Sequence, residues 1–251
     1  MKRGPGPASV PRARSGRSVA ASFRSFKARA GKALITYGFS TRQAGYPDFY
    51  AVLEKETPVV VPDQTHSVNI HNPVSRSTAR ASLTPKALRV CVPDCDALIS
   101  AETGRTLTVR TADCLPIFLW EKTGKAVAVV HAGWKGTHQR IALKTVARLK
   151  KLGADPRNLR VVFGPAIRPC CYEVGPEFAE RFPAETLRPN KAGRHQFDLV
   201  LANRLQLESA GIPKANFKDL KLCTACDTRT FFSFRRDPSN TGRMIHWIRK
   251  D

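Results

Sequence analysis

Cys114 and His131 lie 17 residues apart, and each closes an apolar run of strand type, "LTVRTADC" (107–114) and "AVAVVHAGW" (126–134). A thiolate and a neutral imidazole are both good Zn²⁺ ligands, and ligands at the ends of neighbouring strands can converge on one ion. Two ligands are too few. The best third candidate is His66 in "VPDQTHS", which follows the apolar run "PVVV". His/Cys/His with an open fourth position is the coordination of a catalytic zinc rather than a structural one. That position would hold a water whose pKa the metal lowers toward about 7, making hydroxide available at neutral pH. Such a ligand set can also take Cu²⁺, which stands above zinc in affinity. A lone strand-end His or Cys is more often a core or surface side chain, so spacing alone does not decide the site. His138, seven residues past His131, would make the metal structural if it filled the open position.

The elements that carry these residues read as a mixture of strands and helices. Strands are expected at 33–41, 57–62, 96–100, 105–111, 125–132 and 160–167, with late ones in "FKDLKLC" (217–223), "RTFFSFRR" (229–236) and "MIHWIRK" (244–250). They are short, rich in Val, Ile, Leu and Thr, and bounded by Gly, Pro or Asp. Several are apolar at consecutive positions, the pattern of strands buried on both faces. Ala142, Val146, Leu149 and Leu152 recur at helical spacing until Gly153. Asp198 can cap a second helix with Leu201, Ala202 and Leu205 inward, ending at Gly211. Residues 71–90, rich in Ser, Thr and Pro, read as loop. The expectation is one α/β domain, a layered α/β/α sandwich with a mixed sheet, over residues 33–251.

Lys and Arg outnumber Asp and Glu by 42 to 20. Nine of those cations fall in the first 33 residues, and the first acid is Asp48. Residues 1–32 therefore read as a basic tail, either disordered or resembling an organelle address, and not as a secretory signal, since no apolar run is present. No stretch is apolar enough to cross a membrane. The remaining body is still basic and could attract nucleic acid or phosphorylated small molecules, but no nucleic-acid module is recognisable. Seven cysteines form an odd count in a chain too long to need disulfide staples, which suggests a reducing, cytoplasmic compartment. "CVPDC" (Cys91, Cys95) and "CTAC" (Cys223, Cys226) could be half-sites of a structural zinc, yet 132 residues separate their first cysteines. Buried, unpaired thiols are the plainer reading.

"DQTH", "RTADCLPIFL", "VVHAGWKGT", "FGPAIRPCCYEVG" and "FFSFRRDPSNTGRM", taken in order, resemble the YfiH-like laccase-domain family, also called the multicopper polyphenol oxidase or purine nucleoside phosphorylase family. The resemblance runs from about residue 34 to 250. It implies an α/β/α-type fold with one zinc, held by the positions that fall on His66, Cys114 and His131. It implies phosphorolysis of purine nucleosides (adenosine, inosine, guanosine, methylthioadenosine) and deamination of adenosine, with purine nucleosides and phosphate as partners. An older naming as a copper laccase and a cell-wall editing role also attach to the family. The segment "STRQAGYPDFYAVLEKE" keeps Arg42 but lacks the paired glycines usual there, so the substrate pocket is expected to differ.

On that reading, deamination needs an acid–base group near the metal. Asp113 is adjacent to Cys114, but strand alternation points neighbours to opposite faces, so it is equally a structural carboxylate. Phosphorolysis needs a forked, permanently charged group on phosphate, for which Arg42, Arg110, Arg235 and Arg236 are candidates. Surface ion pairing is the competing role for each. Phe231 and Phe232 could stack a purine, although core packing is commoner for a strand Phe. Gly133 and Gly136 beside Trp134 would let backbone approach a ligand. Whether Cys170 and Cys171 reach the site is left open, as is the oligomeric state. A copper phenol oxidase and a metal-stabilised binding module are the alternatives. Six histidines, two of them in metal strings, are too few for a mononuclear and a trinuclear copper centre together.

Overall fold

The computed structural model describes residues 22–44, 48–55, 57–73 and 89–251. In chain order the first half gives β1 (Phe23–Ala30), β2 (Ala33–Ser40), α1 (Asp48–Glu54), β3 (Val59–Pro62), β4 (Ile70–His71), β5 (Arg89–Val92), β6 (Ala97–Ser100), β7 (Arg105–Thr111), β8 (Leu115–Glu121) and β9 (Val127–Ala132). The second half gives α2 (Trp134–His138), α3 (Ile141–Lys151), β10 (Leu159–Phe163), β11 (Glu173–Val174), β12 (Leu187–Pro189), β13 (His195–Phe197), α4 (Leu199–Ser209), β14 (Phe217–Asp219) and β15 (Met244–Lys250).

Two six-stranded mixed sheets pack face to face. One runs β1-β2-β15-β7-β3-β5 and the other β14-β10-β8-β9-β6-β4, with a small β11-β13-β12 sheet beside them. The α/β layered sandwich expected from the sequence is therefore present, with two large sheets in place of one. Alternation assigns each strand to two cores. In β8, Leu115, Ile117 and Leu119 join α3 and α4, while Phe118 and Trp120 meet Ile35, Leu107 and Ile248 of the facing sheet. In β3, Val60 enters that inter-sheet core and Val59 and Val61 pack on Phe49, Tyr50 and Leu53 of α1. Strands buried on both faces need apolar residues at consecutive positions, which is what the sequence carries. β8 itself was hidden within its long apolar run, and α1 was not expected.

The basic tail is corrected at its C-terminal end. Phe23–Ala30 is an edge strand, antiparallel to β2 from Phe23 opposite Ser40 to Ala30 opposite Ala33. Phe26, Ala28 and Ala30 turn inward while Lys27 and Arg29 stay exposed. The cations that made this stretch resemble a tail are the solvated side of an edge strand, where charge discourages pairing with another chain. A two-residue loop opened by Gly31 at φ 58° joins β1 to β2, and a Cβ there would sit 2.6 Å from the Thr123 carbonyl oxygen. Residues 1–21 lie outside the described residues, as do 74–88 of the expected 71–90 loop; Ile70–His71 and Arg89–Val92 flank the latter as strands.

Two late strands are shorter or absent. β14 stops at Asp219, and 229–236 folds as turns rather than a strand. Side-chain bonds hold it in place of a ladder: the Arg235 N–H donates to the Asp113 carboxylate at 2.7 Å, and the Arg236 guanidinium donates to the Phe231 carbonyl and, outside the segment, to those of Thr224 and Ala225. Both helices fall where expected, and the Asp198 carboxylate caps α4 by accepting from the Leu201 N–H at 2.8 Å.

Candidate functional site

Strand register brings the first two candidate ligands together. In the β6-β9-β8 portion of the second sheet, Ala97 lies opposite Val130 and Pro116 opposite His131. Asp96 and His131 thus share the end row of the sheet, and Cys114 follows β7 just beyond it, opposite Gly133. His66 arrives from the first sheet, on the loop between β3 and β4. Gln64 fixes that loop by mimicking a strand. Its side-chain amide donates to the Arg110 carbonyl at 2.8 Å, and its carbonyl accepts from the Arg110 N–H at 2.7 Å.

The centre of the arrangement is Asp96, which is fully buried and which sequence reading missed. Its carboxylate accepts from the N–H groups of Thr65 (3.2 Å), His66 (3.2 Å) and Ser67 (2.7 Å), from the Ser67 hydroxyl (2.8 Å), and from His131 Nδ1 (2.7 Å). His66 adopts φ 62°, a left-handed conformation that a non-glycine residue rarely takes. The Asp96 carboxylate holds it there. Because Nδ1 of His131 is spent on Asp96, Nε2 is the atom left for a ligand, the usual relation between a metal-bound imidazole and its carboxylate.

His66, Cys114 and His131 each offer a ligand atom within 4.8 Å of the others, and Cys114 Sγ is 3.9 Å from His66 Nε2. Gly133 leaves the room this needs: a Cβ there would lie 2.9 Å from Cys114 Sγ and 3.2 Å from His66 Cδ2. Its backbone (φ −73°) suits any residue, so its smallness, and not its freedom, is what counts. Burial raises the Cys114 thiol, but the His131 imidazolium beside it outweighs burial and brings the pKa down to about 6. Burial likewise lowers His131, and the Cys114 thiolate and Asp96 overcome it, raising the imidazole to about 9. A thiolate and a carboxylate-fixed histidine are donors a divalent cation such as zinc takes, and the ion would displace the proton His131 carries at Nε2, so the residues fit one.

The three candidate ligands line a cavity of about 870 Å³. The candidates Arg110 and Arg235 also line it, and so do Arg243, Lys135, Tyr172 and Phe234, which sequence reading had not assigned to it. Phe234 is 53% exposed, unusual for so large an apolar side chain. Arg42, Phe232 and Arg236 are not in the cavity wall. Arg42 donates to the Thr228 carbonyl and lies 5.4 Å from the Phe232 ring centre, and that ring packs where a Cβ of Gly242 would be. Arg236 is committed to backbone carbonyls and Asp237. Phe231 is wholly buried.

Asp113 borders the cavity, but its carboxylate accepts from the Thr224 hydroxyl (2.6 Å), the Ser233 hydroxyl (3.0 Å) and the Arg235 N–H (2.7 Å). At φ 95° the chain reverses there, so Asp113 faces the 224–235 segment while Cys114 faces His66. It anchors the wall that carries Phe234 and Arg235. His138 Nδ1 donates to the Arg181 carbonyl (3.2 Å), and the residue does not join the ligand group.

Residues 48–251 match the family model described as multi-copper polyphenol oxidoreductase laccase. A protein named purine nucleoside phosphorylase from Bacteroides thetaiotaomicron is 33% identical over 198 residues, 76% of this chain and 72% of its own length. One named adenosine deaminase, from an unknown prokaryotic organism, is 36% identical over 197 residues, 76% of this chain and 74% of its own. The crystal structure of the hypothetical protein YfiH of Bacillus licheniformis superposes with a TM-score of 0.75 at 29% identity, covering 90% of this chain and 98% of that one. With the family model covering residues 48–251 and relatives above 30% identity over more than two thirds of their length, the chain belongs to the multi-copper polyphenol oxidoreductase laccase family.

Proposed function

We propose that the chain is a zinc-dependent purine nucleoside enzyme, cleaving adenosine, inosine, guanosine or methylthioadenosine with phosphate and deaminating adenosine. The observation that carries this reading is the convergence of His66, Cys114 and His131 on a cavity that also holds an exposed aromatic ring and several cations. The relatives named for both activities support it. When bound, zinc there would supply Lewis acidity and make water a nucleophile at neutral pH. The chain's own residues supply the rest. Phe234 offers an apolar face to a flat base. Arg243 and Arg235 offer forked donors to phosphate, although Arg235 also donates to the Glu173 carbonyl at 2.8 Å. Burial pushes the Tyr172 phenol up, so it stays protonated and can donate a hydrogen bond to substrate across the working pH range.

The test is a turnover screen of metal-defined protein. Base release from inosine should require phosphate, and formation of inosine from adenosine should not. Arg243→Ala should reduce base release more than deamination. Zinc-loaded protein that turns over no purine nucleoside under either condition would overturn the reading. The family description keeps a copper oxidase in view, but the described ligand groups are one His/Cys/His set and one set of four cysteines. Phenol oxidation should therefore track added copper and be lost in zinc-only protein.

A further inference from the structure

Cys170, Cys171, Cys223 and Cys226 come together, their sulfurs all within 4.8 Å of one another. Cys170 Sγ lies 3.6 Å from that of Cys223 and 3.5 Å from that of Cys226, and Cys226 Sγ lies 3.4 Å from that of Cys171. "CTAC" is thus half of a four-cysteine group, but its partner is "PCCY" and not "CVPDC". Cys91 stands exposed on β5, and Cys95 is buried with its thiol donating to the Ala97 carbonyl.

The group rests on a fixed frame. Ala166 and Cys223 form a parallel bridge, with the Ala166 N–H donating to Leu222 and the Thr224 N–H to Ala166. Arg168 grips Asp219 through two hydrogen bonds of 2.9 and 2.7 Å. Cys171 closes a turn on the Arg168 carbonyl, and Asp227 closes one on the carbonyl of Cys223. Each pair of sulfurs is therefore presented by a hydrogen-bonded turn, and the bridge sets the two turns side by side.

We propose that these four cysteines form a tetrathiolate site for one zinc ion, separate from His66, Cys114 and His131. Zinc–sulfur bonds of about 2.3 Å in a tetrahedron put the sulfurs about 3.8 Å apart. The contacts of 3.4 to 3.6 Å approach that edge and far exceed the roughly 2.05 Å of a disulfide. Cys170 and Cys226 each have two close sulfur neighbours, an arrangement that pairwise bonding does not call for and a shared central ion does. A multi-iron cluster spaces its cysteines by its own core; sulfurs this close enclose a single ion. Four sulfur ligands with no open position describe a structural centre. On binding, the thiols release their protons to solvent.

The full-length protein, purified under reducing conditions without chelator, provides the test. Zinc content should fall by about one equivalent per chain in the Cys223→Ser/Cys226→Ser double variant, and by a separate equivalent in Cys114→Ser. Cobalt reconstituted into Cys114→Ser should show the charge-transfer and visible bands of a tetrahedral tetrathiolate. Should the double variant fold poorly, alkylation of wild-type protein answers the same question. Zinc should protect Cys170, Cys171, Cys223 and Cys226, and chelation should expose all four. Disulfides among them in reduced protein, iron in place of zinc, or alkylation unaffected by chelation would each overturn the proposal.

Discussion

Asp96 accepts hydrogen bonds from three consecutive backbone N–H groups while fixing the His131 ring, so one carboxylate sets the position of two of the three proposed ligands. An amide in its place could not accept at both oxygens. Asp96→Asn should weaken zinc binding by about 10–100-fold, the usual cost of losing a carboxylate behind a ligating histidine, as read by competition with a chromophoric chelator. Unchanged affinity would show that the ligands hold themselves in place. The Cys114 thiol gives a second prediction at this scale. Its folded pKa, about 6, lies below the ordinary thiol value, so the thiolate's contribution is present at high pH and lost as pH falls through about 6. His131 is shifted the other way, and its imidazolium is lost as pH rises through about 9. In metal-free protein the alkylation rate of Cys114 should therefore hold steady from about pH 8 to 7 and drop below about 6. A midpoint near the ordinary thiol value would refute the thiolate–imidazolium pair.

At the scale of elements, the site depends on how closely the turn into α2 approaches the strand ends. Gly133→Ala needs no backbone change, yet its methyl would press on Cys114 Sγ and His66 Cδ2. The variant should keep its thermal unfolding midpoint within about 2 °C but lose about tenfold or more in zinc affinity, measured by the same competition. The grouping of His66, Cys114 and His131 was legible in the sequence because few residue types bind metal and each followed an apolar run. Asp96 was not, since an aspartate ahead of "ALIS" looks like any strand boundary until register sets it beside His131. The same holds for the cavity aromatics. "RTFFSFRR" has the composition of a strand, and only the Asp113 and Arg236 hydrogen bonds turn it into the coil that exposes Phe234 while burying Phe231. Cys170 and Cys171 could not be matched to "CTAC" by spacing, because the bridge between Ala166 and Cys223 that unites them is tertiary.

For the whole molecule, the cationic N-terminal region divides into two parts with opposite expected consequences. Residues 1–21 carry neither an apolar period nor a residue of the site, and deleting them should leave zinc content and unfolding unchanged. Deleting residues 1–32 also removes β1. Phe26 stacks on Tyr37 at 5.3 Å, and Phe23 packs between Phe49 and Trp247 at 5.5 and 5.9 Å, so the loss would uncover both faces of the first sheet near its edge. Losing one or two partly buried aromatic rings and a strand pairing costs about 2–4 kcal/mol, which for a chain of this size lowers the midpoint by about 5–10 °C. β2 would become the new edge, and its nearly continuous buried run lacks the outward cations with which Lys27 and Arg29 guard the present one. The shorter chain should therefore also aggregate on heating at lower protein concentration than the 22–251 chain. The ligands of the proposed zinc lie at the end of the other sheet and its crossing loop, so the protein that stays folded should retain its metal. Equal midpoints for the 22–251 and 33–251 chains would mean that β1 adds nothing to the stability of the sheet it borders.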